Sequence, residues 1–210
     1  MKTRILIAIS SCEVFETSGL NAPARETYLP DAVKLGMDFK FFHGRGASPK
    51  EDVVILDVPD EMYGLTEKAK EKARWAVEQG YDYVFSCFPD TYVCPERLIT
   101  TGFGMLDYLG NVHQFPGSAP FCQGGPGMMF SRRACEILAN DSTSYLNDDC
   151  WASDVLVKAG IHPVHNPAFT AFGPGPLKTN SSITNHLSTV PGGFTREVMY
   201  EEHRRWLESQ

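Results

Sequence analysis

YDYVFSCFPDTYV, residues 81–93, opens as a buried strand over Tyr83–Cys87, meets one acid at Asp90, and turns aromatic again. In α/β proteins ligands sit at the carboxyl ends of parallel strands, and Asp90 falls just past such an end. Taken alone, a carboxylate in that position serves equally well as a turn cap. The rest of the chain has to decide between the two.

Upstream, RILIAI (4–9) forms a second buried strand, followed by a polar loop from Ser10 to Asn21. Pro23 suits the first turn of a helix over 24–35, made irregular by Pro30. DFKFFH (38–43) and DVVIL (52–56) are two further strands, closed by Gly44 and Pro59. Residues 66–79 form the clearest helix: Ala69, Ala73, Ala76 and Val77 share one face and charges take the other. Thr66 caps that helix and Gly80 stops it.

Downstream, Pro95 starts a short helix through Ile99. FCQGGPGMMFSRRACEIL (121–138) reads as a glycine-rich turn, a strand through Phe130 and a helix from Arg132. Residues 149–159 form a helix stopped by Gly160, and IHPVH (161–165) a short strand. From Gly173 the chain is loop-rich, until an amphipathic helix over 195–208. Strands alternating with helices predict one α/β domain with a mostly parallel, Rossmann-like sheet and helices on both faces.

Composition sets limits on function. Of 210 residues 42% are hydrophobic and 21% charged, enough for a sizeable core. No apolar run approaches the ~18–20 residues of a membrane span. The apolar run near the N-terminus, Ile5 to Ile9, is shorter than the ~7–15 residues of a secretory signal core, so a first strand is expected there. Six cysteines without a CxxC pair, mostly inside apolar segments, read as reduced thiols of a cytoplasmic protein. A formal charge of −7 argues against non-specific nucleic-acid binding, although Arg132, Arg133, Lys178, Arg204 and Arg205 could form a local phosphate-tracking patch.

Familiar catalytic loops are missing. There is no GxxxxGK[ST] loop, no GxSxG elbow and no GxGxxG after the first strand. Acidic positions carry more information. DVPDEMYGLTEK (57–68) sets Asp57, Asp60 and Glu61 on a loop before Tyr63, Thr66 and Lys68 enter the long helix. NDDCWASDVLVKAGI (147–161) puts Asp148 and Asp149 at a helix N-terminus, where carboxylates suit the helix dipole. Capping accounts for one of these two acids, hardly for both.

Five blocks in order give the series its meaning: DEMYGLTEK, FPDTYV, FCQGGPGMMFSRRA, NDDCW, and a late histidine in NHLST (185–189). The series resembles the fringe-like and β-1,3-glycosyltransferase group of GT-A glycosyltransferases, over about residues 22–190. DEMYGLTEK looks like that group's D…Y…NLTxK block, with Gly64 in place of Asn. FPDTYV occupies the slot of its DDDTYV, and FCQGGPGMMFSRRA is similar to its SGGAGFxxSR segment.

The resemblance implies an inverting transferase acting on a UDP-sugar. By residue, it implies Asp90 and His186 as ligands of Mn2+ or Mg2+, and Asp149, or its neighbour Asp148, as the general base on the acceptor. Arg25, Asp60, Lys68, Phe88 and Thr91 fall on the donor side. Gly124 and Gly125 fall beside the sugar or acceptor, with Trp151 as an acceptor platform. The nucleotide-sugar half would cover about 1–110, the acceptor half about 111–194. Phe88-Pro89-Asp90 departs from the group's acidic triplet by keeping only the last acid, which weakens the expected metal shell. Expected acceptors are a glycan or a hydroxymethylated pyrimidine in DNA, as in virus-type DNA glycosylation; the alternative is a non-catalytic nucleotide-sugar or glycan-binding protein. Relatives sit behind a membrane anchor and stem that this chain lacks, so a bacterial or viral cytoplasmic setting is expected.

Overall fold

A computed structural model of the chain describes residues 3–61, 64–143, 145–171, 182–189 and 193–209. At its centre lies β1 (Ile5–Ser10), all six residues of which are buried. Successive strand side chains point to opposite faces. Ile5, Ile7 and Ile9 enter one apolar cluster, Leu6 and Ala8 another. Both faces being covered, RILIAI is a continuous apolar run rather than an alternation.

Flanking β1 as parallel neighbours are β2 (Asp38–His43) and β4 (Tyr83–Cys87), with β3 (Val53–Ile55) parallel to β2 at the edge. On the other side β9 (Met128–Ser131) runs antiparallel to both β4 and β6 (Tyr108–Gly110). β10 (Val164–His165) pairs parallel with β6, giving seven strands in the order β10-β6-β9-β4-β1-β2-β3. The expected mostly parallel sheet is present, interrupted by β9.

One face carries α2 (Ala22–Glu26), α3 (Tyr28–Lys34), α5 (Pro95–Ile99) and α8 (Arg196–Glu208), which contribute Ala24, Leu29, Leu98 and Trp206 to the cluster beneath. The other carries α4 (Leu65–Glu78), α6 (Arg132–Ala139) and α7 (Asp148–Lys158), through Ala73, Leu138 and Leu156. A small second sheet joins β11 (Phe169–Thr170), β12 (Thr184–His186) and β5 (Thr91–Val93). β7 (Val112–His113) and β8 (Phe121–Cys122) form a two-stranded ribbon packed on α7.

Three local expectations need correction. The polar loop after β1 contains a short helix, α1 (Glu13–Thr17), with no buried residue. The expected helix over 24–35 is two helices broken at Thr27 (φ −113°, ψ −96°), not at Pro30. Pro30 sits in the first turn of α3, where a missing N–H costs no intrahelical bond. The charges of α4 are not confined to its outer face, since Lys68 and Lys72 are both buried.

The loop expected from Gly173, with Lys178, and Tyr63 of the acidic block lie outside the described residues. All six cysteines are free. Among the described residues no helix is long and apolar enough to cross a membrane.

Candidate active site

The opening stretch leads straight to the site. β4 ends at Cys87, and the chain turns through Phe88, Pro89 and Asp90, with Thr91 N donating to Phe88 O at 3.1 Å. β12 lies antiparallel to β5 with His186 opposite Thr91, and Leu187 N donates to Asp90 O at 2.7 Å. This pairing brings together two residues 96 positions apart: His186 Nε2 lies 3.3 Å from Asp90 Oδ2. Ser188 Oγ approaches the same nitrogen at 2.6 Å. Asp90 Oδ1 is buried and has no hydrogen-bond partner. A carboxylate oxygen in that condition carries an uncompensated desolvation cost, which a bound ligand would relieve.

A hard carboxylate and one imidazole side by side are a donor set of the kind that suits Mn2+ or Mg2+. Among the described residues no group of three or more His, Cys, Asp and Glu side chains converges. A cation there would need further ligands from outside these side chains.

The glycine-rich turn packs beside this pair. Thr91 Oγ1 donates to Gly125 O at 2.7 Å, and Thr184 Oγ1 to Pro126 O at 2.6 Å. A Cβ at Gly125 would stand 2.4 Å from His186 Nδ1, so this glycine makes room for the imidazole rather than for a sugar. At Gly124 the nearest atom, on Phe88, would be 3.4 Å from a Cβ, an ordinary contact. Gly124 instead uses its backbone: its N–H donates to Asp149 Oδ2 at 3.2 Å. One turn therefore touches both His186 and Asp149.

Asp148 and Asp149 open α7 and have different surroundings. Asp149 is half-buried and accepts from Cys150 N at 2.7 Å as well as from Gly124. Asp148 is buried, and burial pushes its carboxyl up to about 6 against the pull of Lys72. Trp151 does not form an acceptor platform. It is 1% exposed, sits in the core and donates its Nε1 to Asp141 at 2.8 Å, leaving no free face for stacking.

The donor-side candidates divide. Phe88 is half-buried beside Gly124, while Thr91 is fully buried and ties the Asp90 turn to the glycine turn. Asp60 Oδ1 accepts from Gly44 N at 2.5 Å and Lys68 Nζ at 3.0 Å, and its Oδ2 accepts from Glu13 N at 2.7 Å. Lys68, 2% exposed, also donates to Ser11 O at 2.6 Å. These two residues thus hold each other and three loops, instead of facing outward. Arg25 is likewise committed, to Glu16 at 3.0 Å and Asp52 at 2.5 Å, with its guanidinium 4.2 Å over Phe41.

Of the surface cations considered for nucleic acid, the four among the described residues are also matched with acids. Arg132 pairs with Glu136, Arg133 with Asp107, Arg204 with Glu208 and Arg205 with Glu201, on two separate helices. Sequence reasoning missed Lys72, which is fully buried in α4 beside Asp148. Its signal was present: Lys72 is four residues after Lys68 and one before Ala73, on the inward face.

No protein-family model and no curated protein sequence matches the chain. Solved structures do. A glycosyltransferase involved in glycosylation of the major capsid of the virus PBCV-1 superposes with a TM-score of 0.58 at 12% identity, over 97% of this chain and 99% of that one. Drosophila β-1,4-galactosyltransferase 7, as a mutant complexed with manganese, UDP-Gal and xylobiose, gives 0.50 at 14% identity over 89% and 71%. The fold is that of GT-A glycosyltransferases. The fringe-like group within it gains no separate support from these neighbours.

Proposed function

We propose that the protein is an inverting glycosyltransferase that moves a sugar from a UDP-sugar to a hydroxyl of a glycan acceptor. The observation that carries this reading is the Asp90–His186 pair, with its unpartnered carboxylate oxygen, joined through one glycine turn to Asp149. Two functions are thereby adjacent at the carboxyl edge of the sheet: a place for the leaving diphosphate and a base for the attacking hydroxyl.

In this reading Asp90 and His186 would hold Mn2+ or Mg2+, which would supply positive charge to offset that of the leaving group. Asp149 accepts the proton of the acceptor hydroxyl, whose oxygen forms the new bond to the anomeric carbon. The N–H of Gly124 orients the carboxylate for that task. Phe88 stands beside the glycine turn that joins the two. Arg25, Asp60 and Lys68 shape the donor side without touching substrate.

A glycan is favoured over hydroxymethylated DNA because the four arginines that would track phosphates are paired with acids, on a chain of net charge −7. The test is a mass-spectrometric transfer screen crossing UDP-glucose, UDP-galactose and UDP-N-acetylglucosamine with free oligosaccharides and with hydroxymethylated DNA. A glycan product that disappears in EDTA is expected, and Asp149→Asn should lower its rate about 10³-fold with donor KM kept. UDP binding without turnover of any donor would instead establish a non-catalytic nucleotide-sugar binder.

A further inference from the structure

α4 buries a second lysine one turn beyond Lys68. Lys72 is 3% exposed and donates to Ser10 Oγ and Ser86 Oγ, each at 2.6 Å. These serines lie near the ends of the paired strands β1 and β4, directly behind the Asp90 turn. An ammonium has three N–H donors, and the serines use two. Lys72, Ser86 and Asp148 also line a cavity of about 20 Å3 walled by Met128, Cys135 and Trp151. That volume holds one water, and three polar groups are there to bind it.

The charges around Lys72 are few. Cys87 and Cys135 are thiols that burial pushes up to about 12, so both stay neutral. Lys68 is a like charge already matched by Asp60. Asp148 is the acid that bears on Lys72, and burial lowers the ammonium to about 8 against its pull.

We propose that Lys72 is a positioning residue for Asp149: with one water in this cavity its ammonium keeps Asp148 a carboxylate at the head of α7. The proposal rests on the transferase reading above. A buried carboxylate without a counter-charge takes up a proton. Protonated Asp148 would be a hydrogen-bond donor beside Asp149 and would compete for the lone pair that the base offers to the acceptor. Lys72 prevents this without touching substrate.

The test measures UDP release from UDP-glucose, UDP-galactose and UDP-N-acetylglucosamine, with water as acceptor, together with thermal unfolding of the full chain. Lys72→Met should slow release on the order of 100-fold at a donor KM within about twofold, and move the acid limb of the pH profile up by about one unit or more. The double variant Lys72→Met/Asp148→Asn should be no slower than Lys72→Met alone, since both changes remove one function. Ser86→Ala, which removes one anchor and no charge, should move rate and acid limb the same way by less, and serves if Lys72→Met does not fold.

An unchanged rate in both Lys72→Met and Ser86→Ala, a loss carried by KM, or losses that multiply in the double variant would overturn the proposal. If the wild-type protein releases UDP from none of the donors, the transferase reading falls and the positioning role with it. Non-additive unfolding temperatures would then still establish the Lys72–Asp148 charge pair, separating the two failures.

Discussion

Two carboxylate pairs stand at the carboxyl edge of the sheet, Asp60 with Lys68 and Asp90 with His186, and they are built differently. In Lys68–Asp60 both carboxylate oxygens accept hydrogen bonds, from Gly44, Glu13 and the lysine itself. In His186–Asp90 one oxygen faces the imidazole at 3.3 Å and the other is buried without a partner. The first pair is closed, and removing either member strands the other in the interior. The second is left open on one side, a condition that a fold tolerates where a ligand completes it. One acid holds loops together and the other keeps an unsatisfied oxygen, although both come from motif blocks of the same apparent rank.

The largest expected effect breaks the open pair. Asp90→Ala should reduce glycosyl transfer about 10³-fold or more while shifting the unfolding temperature by no more than about 2 °C, because one oxygen it removes is buried without a partner and the other meets only His186, at 3.3 Å. EDTA should mimic it. Full turnover in Asp90→Ala, or in chelator, would remove the metal from the reading.

Lys68→Met tests the closed pair and should show the opposite signature. Losing one member of a buried ion pair costs about 3–5 kcal/mol, which lowers the melting temperature of a chain this size on the order of 10 °C. Turnover per folded molecule should fall only a few-fold. A Lys68→Met protein that melts normally and fails to bind UDP would return Lys68 to the donor site.

A finer probe is the glycine turn. Gly125→Ala places a methyl carbon 2.4 Å from His186 Nδ1, so the imidazole must shift from its place beside Asp90. Transfer should drop about tenfold, with part of the loss recovered at high Mn2+. Gly124→Ala, with 3.4 Å to Phe88, should be nearly silent. Equal effects of the two would mean that the turn contacts substrate rather than His186.

Much of this arrangement was legible in the sequence. Tyr83–Cys87, the helix from Pro95, and the β9–α6 junction carry local signals, through apolar runs bounded by Pro, Gly or Ser, and they lie where the pattern puts them. Asp90 and His186 came from the order of the motif blocks. Their contact depends on a three-residue strand, TNH, paired with TYV across 91 to 95 positions, and strands that short have no periodicity to read. Whether a carboxylate is satisfied is likewise a tertiary property. Asp60 and Asp90 look alike in sequence, and the donors from Gly44, Glu13 and Lys68 distinguish them. Trp151 and Lys72 failed for a related reason: residue type argued for stacking and for solvent, whereas helix register put both inside.

The smallest effect uses pH to set two carboxylates against each other. Burial would raise the Glu16 carboxyl, but hydrogen bonds from Arg25, Asn21 and Lys50 outweigh it and hold the group at about 2. A depressed carboxylate stabilises the fold fully above its unfolded pKa, near 4.3, and that contribution is lost as pH falls through the folded value. Asp148, pushed up to about 6, has the reverse sign: its contribution is full below about 3.9 and is lost as pH rises to about 6. The melting temperature should therefore decline twice, once on acidification from about 4.5 toward 2 and once, by a few degrees, on going from about 4 up to 6. Arg25→Gln should weaken the first decline and leave the second, and Asp148→Asn should do the opposite. A decline between pH 4 and 6 that survives Asp148→Asn would place the titrating group elsewhere, and with it the counter-charge that Lys72 is built to meet.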